Sequence, residues 1–434
     1  MMSLTSSNWH LKPIGSRFLS LAVFIMLLVA ISQKSQAQTN ESNRHISLEE
    51  AIRLTLSQHP EMSKYRFLEK QYDGQLEQSM VGSKPELNVT VEDAFGSGDY
   101  SGFDSSQTTV GITWILDDEL VDSRVNATQQ AASQVNYQRQ IKVLDLSAQT
   151  AKIFINNIAL QEQIKLAKSN LKQTRNALKL VQERNQKGRG STVDVMQMEA
   201  SVARAELTVE DLEHELKSRR YELMSQWGEK SSLRIADANL FSTPALTSPE
   251  VALGEIKKNP AFTALANKSR VLESKIELAR IEAEPRWSIN AGIRRYERTS
   301  DYGVVAGFSM PLGTSGSTAG KIRALKAEQS VYEAEATALK QQLNTQLFVL
   351  LQEIKHSQHV ISVTQGKVIP LMKKARDEVN KAYELGRANY LEWFNVRQDY
   401  LAAHLNLITT YKTLHLQHIE LQRLTGTSIQ TLEN

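Results

Sequence analysis

The chain has 434 residues, with 51 Lys and Arg against 48 Asp and Glu and no cysteine. It therefore has no means to form disulfides, thiolate catalysis, cysteine-held metal sites or a cysteine-linked lipid anchor. Three of the bases, Lys12, Arg17 and Lys34, lie in residues 1–37 with no acid among them, and without that segment the charges balance. The basic excess thus gives no reason to expect a nucleic-acid partner.

Residues 1–37 read as a secretory signal. Lys12 and Arg17 precede an apolar run at 18–31 broken only by Ser20, and Ser35-Gln36-Ala37 offers a small-x-small cleavage site. The run falls short of the ~20 residues that a membrane helix needs. The mature chain is expected to start near Gln38.

Beyond the signal the chain repeats itself at a shift of about 200 residues. His59-Pro60-Glu61 answers to Asn259-Pro260-Ala261, and Lys84-Pro85-Glu86-Leu87 to Glu284-Pro285-Arg286-Trp287. Gly188 and Gly386, Ser191 and Asn389, Asp194 and Glu392, and Gly228 and Gly426 keep a similar offset. One supersecondary design is used twice, over 38–240 and 241–434.

Each half is predicted to run helix, strand, strand, long helical hairpin. Ser47-Leu-Glu-Glu50 opens the first leading helix as a capping box, and Ser248-Pro249-Glu250 opens the second. Pro85 and Pro285 stop them. Strands follow at about 86–94 and 108–117, and again at about 286–297 and 302–312. In them Leu87, Val89 and Val91, then Val110, Ile112 and Trp114, then Ile289, Ala291 and Ile293, then Val304, Ala306 and Phe308 each form one apolar face.

No proline occurs over 118–187 or 317–369. Leu160, Ile164, Leu171, Leu178 and Val181 fit heptad steps, as do Val195, Met198, Val202, Ala205, Val209, Leu212 and Leu216 in the return helix. Val396, Tyr400, Ala403, Leu407, Leu414 and Leu421 repeat that seam, so antiparallel coiled-coil pairs are expected. Roughly 70 residues of helix reach about 105 Å, which a single globular core has no use for.

The strands have the length of tilted membrane-spanning strands, and Phe95, Phe103, Trp114, Trp287, Tyr296 and Tyr302 sit near their ends as an interfacial girdle would. Four strands do not close a barrel, and open edges do not face lipid. A barrel must be built from several chains, two giving eight strands and three giving twelve.

These residues carry a family resemblance. The layout resembles the TolC-type outer-membrane efflux ducts over the whole mature chain. The segments Gln186-Lys-Gly188-Arg-Gly-Ser-Thr-Val-Asp194-Val and Tyr383-Glu-Leu-Gly386-Arg-Ala-Asn-Tyr-Leu-Glu392 are similar to the hairpin tips of that family. Val91-Glu-Asp-Ala-Phe-Gly-Ser-Gly-Asp-Tyr-Ser-Gly-Phe-Asp104, leading to Thr108-Thr-Val-Gly-Ile112, resembles its branch serving heavy-metal pumps of the resistance-nodulation-division (RND) class. Leu116-Asp-Asp-Glu-Leu120 departs from that branch, where a Gly-Gly-Lys-type turn is usual. The resemblance implies a mainly α protein with membrane β: a homotrimer whose twelve-stranded β-barrel in the outer membrane continues as a periplasmic α-helical barrel. It also implies a periplasmic adaptor (membrane fusion) protein and an inner-membrane RND-type pump as partners.

No phosphate loop, His-Glu-x-x-His pattern or nucleophile elbow is present. Catalysis, cofactors and a resident metal are not expected. His356 and His359, and His415 and His418, share helix faces three residues apart, and they read as solvated positions. At the tips, Gly188 and Gly386 read as C-caps, and Ser191 with Asp194 and Asn389 with Glu392 as N-caps of the return helices. In a trimer Asp194 and Glu392 form a ring of six acids that favours cations and closes through Tyr383 or Arg387. The resemblance implies that these tips also dock the adaptor.

The function expected is that of a passive exit duct of a Gram-negative outer membrane, with heavy-metal cations as one cargo. Drug efflux or type I protein secretion are alternatives within the class, and a soluble periplasmic coiled-coil scaffold is an alternative outside it.

Overall fold

The computed structural model describes residues 45–429 apart from 230–233, 237, 245–247 and 312–316, so the expected signal segment lies outside the described residues. After a two-residue strand β1 (His45–Ile46), Ser47 accepts the Glu50 N–H at 3.2 Å and starts α1 (Leu48–Gln58). His59 then turns extended, and its Nδ1 accepts the Glu61 N–H to start α2 (Pro60–Ser79). The sequence predicts one leading helix ending at Pro85; the structure has two. Pro60 has no N–H to continue α1 but suits the first position of a new helix.

β2 (Glu86–Glu92) and β3 (Gln107–Ile115) follow, joined by a loop holding a 3-10 turn at Gly98–Tyr100. α3 (Asp118–Gln186) runs unbroken for 69 residues, and α4 (Thr192–Ser225) returns beside it. A two-residue strand β4 (Arg234–Ile235) pairs in parallel with β1, a small sheet that the sequence does not announce.

The second half repeats the order. α5 (Pro249–Glu255) is capped by Ser248, and α6 (Pro260–Ala283) by Asn259, whose Oδ1 accepts the Ala261 N–H at 2.9 Å. β5 (Ser288–Tyr296), β6 (Asp301–Ser309), α7 (Ser317–Val363), α8 (Ile369–Glu384) and α9 (Tyr390–Thr425) complete it. Between α7 and α8 lies a π-helical turn at Thr364–Val368, just ahead of Pro370. Proline takes a donor out of the α ladder there, and a π turn absorbs the mismatch without ending the helix. α3 has no such interruption.

The main core lies midway along the helices, where Ile46, Phe154, Ile158, Leu223, Trp227, Leu347, Ile354 and Leu414 pack together. Beside it, the Lys152 ammonium lies 2.5 Å from Glu420, and Arg423 reaches both Glu420 and Asp145, pinning α3 to α9. His415 is buried in this core with Nε2 2.8 Å from the Leu240 carbonyl, and His418 Nδ1 is shut off from solvent. His415 and His418 are therefore not the solvated pair expected. Their shared face is the one α9 turns inward, whereas His356 and His359 are exposed.

The four long strands make one antiparallel sheet in the order β2-β3-β5-β6, so β3 and β5 join the two halves edge to edge. Val89, Val110, Ile293 and Val304 stand in one row, on the apolar face, and Leu87, Ile112, Ala291 and Ala306 in the next. That face is open, with Val304 87% and Phe308 76% exposed. The other face is polar: Arg294 donates to Thr109 at 2.9 Å and Gln107 at 3.1 Å, and lies 2.7 Å from Glu92. On that face Gly111 and Gly292 are neighbours, and a Cβ on Gly292 would sit 2.7 Å from the Val110 carbonyl oxygen. Among the described residues the outer edges of β2 and β6 are unpaired, and no helix is long and apolar enough to cross a membrane.

Where the sheet meets the helices, Asp117 accepts from the Ser83 N–H at 2.9 Å and the Ser83 hydroxyl at 2.7 Å. The acidic Leu116-Asp-Asp-Glu-Leu120 stretch thus ties the chain entering β2 to the chain leaving β3.

Candidate functional site

The two hairpin tips are built alike. α3 ends with Gly188 at φ +69°, its N–H donating to the Asn185 carbonyl and the Arg189 N–H to the Arg184 carbonyl. α8 ends with Gly386 at φ +76°, its N–H donating to Tyr383 and the Arg387 N–H to Ala382. Both are Schellman caps, and both need a residue that tolerates a left-handed backbone. The return helices are then capped from outside. The Ser191 hydroxyl accepts the Val193 N–H at 3.1 Å, and Asp194 accepts the Ser191 N–H at 3.4 Å, closing a capping box. Asn389 Oδ1 accepts the Glu392 N–H at 2.9 Å.

A stack of rings and cations holds the tips together. The Tyr383 ring lies on Trp393 with centroids 4.6 Å apart and planes 12° from parallel. The Arg184 guanidinium covers the Tyr383 ring at 4.3 Å, donates to the Tyr383 carbonyl, and donates to the Arg189 carbonyl at 3.1 Å. Arg397 lies 5.0 Å from the Trp393 ring centroid, and Trp393 Nε1 donates to Asn380 at 2.7 Å. Val181, Met198 and Val379 pack around the rings in a second, separate core. One arginine of the first hairpin thus clamps the aromatic pair of the second.

Of the residues singled out in the sequence, Gly188, Ser191, Gly386 and Asn389 shape the turns. Tyr383 is buried, at 2% exposure within the protomer, while Arg387 and Glu392 are exposed and have no ion pair among the described residues. Burial raises the Tyr383 hydroxyl above the usual phenol range, with Arg184 opposing and Asp194 adding to the shift. Burial likewise raises Tyr390, and Asp194 again adds to it. Arg184, Trp393, Asn380 and Arg397 were not foreseen. The visible signal was an aromatic-cation pair one helical turn apart at Trp393 and Arg397.

No group of three or more His, Asp or Glu among the described residues is arranged to hold a metal ion. The geometry is that of a structural tip carrying surface charge, set at the far end of long helices from a four-stranded sheet.

Residues 51–229 match the family described as outer membrane efflux protein. The match covers about two fifths of the chain and lies within its first repeat. The chain is 22% identical over 358 residues to the cobalt-zinc-cadmium resistance protein CzcC of Cupriavidus metallidurans, covering 82% of this chain and 84% of the relative. Among solved structures, the outer membrane protein VceC of Vibrio cholerae has a TM-score of 0.70 at 15% identity, covering 88% of this chain and 97% of that one. A structure of CusC has a TM-score of 0.69 at 14% identity, over 90% and 94% respectively. At those identities the structural likeness establishes the fold.

Proposed function

We propose that the chain is one of three protomers of an outer-membrane exit duct that works as a passive conduit. The observation that carries this reading is the sheet: an apolar outward face and two free edges, in the same chain as helices of about 100 Å. Lipid accepts a sheet only when every edge is paired. Pairing β6 of one copy with β2 of the next closes twelve strands from three copies, with Arg294 and Glu92 turned to the lumen. The repeats at 38–240 and 241–434 each contribute one strand pair and one hairpin. The helices then cross the periplasm to an adaptor docked at the tips, and an inner-membrane RND-type pump supplies the energy. The duct itself performs no catalysis.

At the tip, Asp194 and Glu392 bring six carboxylates to one ring, which favours cations. Gly188, Ser191, Gly386 and Asn389 shape the docking turns. Arg387 offers the counter-charge for closure, and Tyr383 links the hairpins through its stack. The cargo we propose is heavy-metal cations, supported by the likeness to CzcC and by the glycine-rich loop after β2.

Unboiled electrophoresis and native mass spectrometry of detergent-extracted protein test the assembly: a trimer supports the duct, and a monomer overturns it. A deletion strain plated on graded metal salts, and in parallel on dyes and detergents, tests the cargo. Metal sensitivity supports the metal reading, and dye sensitivity with normal metal tolerance discards it while leaving the duct.

A further inference from the structure

Beside Arg397, a cavity of about 30 Å³ opens between α3, α4, α8 and α9. Arg376, Arg397, His404 and Tyr400 line it together with neutral polar side chains of α3 such as Asn170 and Thr174, and no acidic side chain does. Arg397 is half-buried and has no hydrogen bond or ion pair among the described residues; its guanidinium lies 5.0 Å from the Trp393 ring centroid. His404 Nε2 is closed off from solvent with no hydrogen-bond partner. Arg376 covers the Tyr400 ring at 4.4 Å, and the edge of that ring meets His404 at 4.6 Å. Only Arg376 has a counter-charge, from Asp377 at 2.6 Å.

A guanidinium does not escape burial by losing its proton, because its pKa stays above ~12 in proteins. A half-buried cation with no counter-charge is partly desolvated at a cost, and the remedy is an anion. Burial, reinforced by the Arg376 charge, presses the pKa of Arg397 down, which is the same deficit in another form. The cavity has room for one or two water-sized particles. That volume suits a halide.

We propose that this cavity binds one small monovalent anion of the halide class, held by Arg397 and Arg376, with the Nε2 edge of His404 as a further donor. The named donors all belong to one protomer. The anion neutralises Arg397 beside the tip stack in a duct otherwise suited to cations.

The test compares thermal unfolding of the detergent-extracted protein in sodium chloride and in sodium gluconate at equal ionic strength. Chloride should raise Tm by about 2–4 °C in a saturable way, and Arg397→Met should abolish the difference. Equal Tm in the two salts, or an equal chloride response in the variant, overturns the proposal. So does an Arg397→Met protein that fails to assemble while the parent ignores chloride, since a carboxylate of a neighbouring copy then holds the arginine. Should the variant not fold, bromide-soaked crystals of the parent decide: an anomalous peak beside Arg397 supports the site, and its absence overturns it.

Discussion

Tyr383 and Trp393 lie face to face, 4.6 Å apart, and the cation seated on Tyr383 comes from Arg184 of the other hairpin. Arg184 thus adds a charged clamp to the apolar packing that joins the two hairpins of a protomer at their tips. Replacing Trp393 with Ala should remove about 3–5 kcal/mol of local packing. Arg184→Met, which keeps the bulk of the stem and loses the charge, should cost less and loosen the clamp selectively. Single-channel recording in planar bilayers is the measurement. Arg184→Met should raise conductance, and a lower Tm with unchanged conductance would reduce the clamp to a packing feature.

The acids at the tips give a separate readout. Asp194→Ala together with Tyr383→Phe should raise conductance, and removing charge at both Asp194 and Glu392 should lower cation preference in reversal-potential measurements. Because Asp194 closes a capping box, the first change should also cost about 0.5–2 kcal/mol of stability. Unchanged selectivity would leave these residues as helix caps alone.

Adjacent residues of β6 should behave oppositely. Val304 stands in the apolar row with Val89, Val110 and Ile293, while Val305 faces the Gly292 row on the polar side. Val304→Arg, like Val89→Arg or Ile289→Arg, should block membrane insertion at about 2–4 kcal/mol at mid-depth. Val305→Arg should insert and narrow the lumen. Outer-membrane fractionation of both variants checks this, and equal insertion would refute the assignment of faces.

Acid should destabilise the helical body through its buried histidines. Burial lowers the pKa of His415, against the pull of the Leu240 and Ser242 carbonyls. Burial also lowers His418, with His415 adding to it, and His404, with Arg376 adding to it. Each binds its proton more weakly folded than unfolded, where histidine titrates near ~6.5. Stability is thus full above about pH 6.5 and declines as pH falls toward the folded-state values. Tm should drop between about pH 7 and pH 5, and His415→Gln should flatten that slope. A level profile in the parent would contradict the argument.

Local chemistry made much of this readable in advance. The strand faces followed from strict alternation at Val89, Val110, Ile293 and Val304, and the tip turns from Gly188 and Gly386 followed by side-chain caps. What stayed hidden depends on partners distant in sequence. Arg184 meets Tyr383 199 residues away, and His415 meets the Leu240 carbonyl 175 residues away. Periodicity marks which face of a helix is apolar, but not which buried histidine finds a carbonyl. The break at Pro60 was readable and passed over, since His is an uncommon cap and the helical pattern continues on both sides.

The four-stranded sheet also contains a position defined by a missing atom. At Gly292 a single methyl group would press to 2.8 Å from the Gly111 Cα and 2.7 Å from the Val110 carbonyl, both backbone. Glycine has no smaller substitute, so every coding change there moves in the one direction the sheet does not absorb. Outward positions such as Val304 can drift among Val, Ile and Leu at little cost in lipid. Gly292 has no such neutral neighbours, and a saturation library scored for assembly should return it as an empty column between two permissive ones.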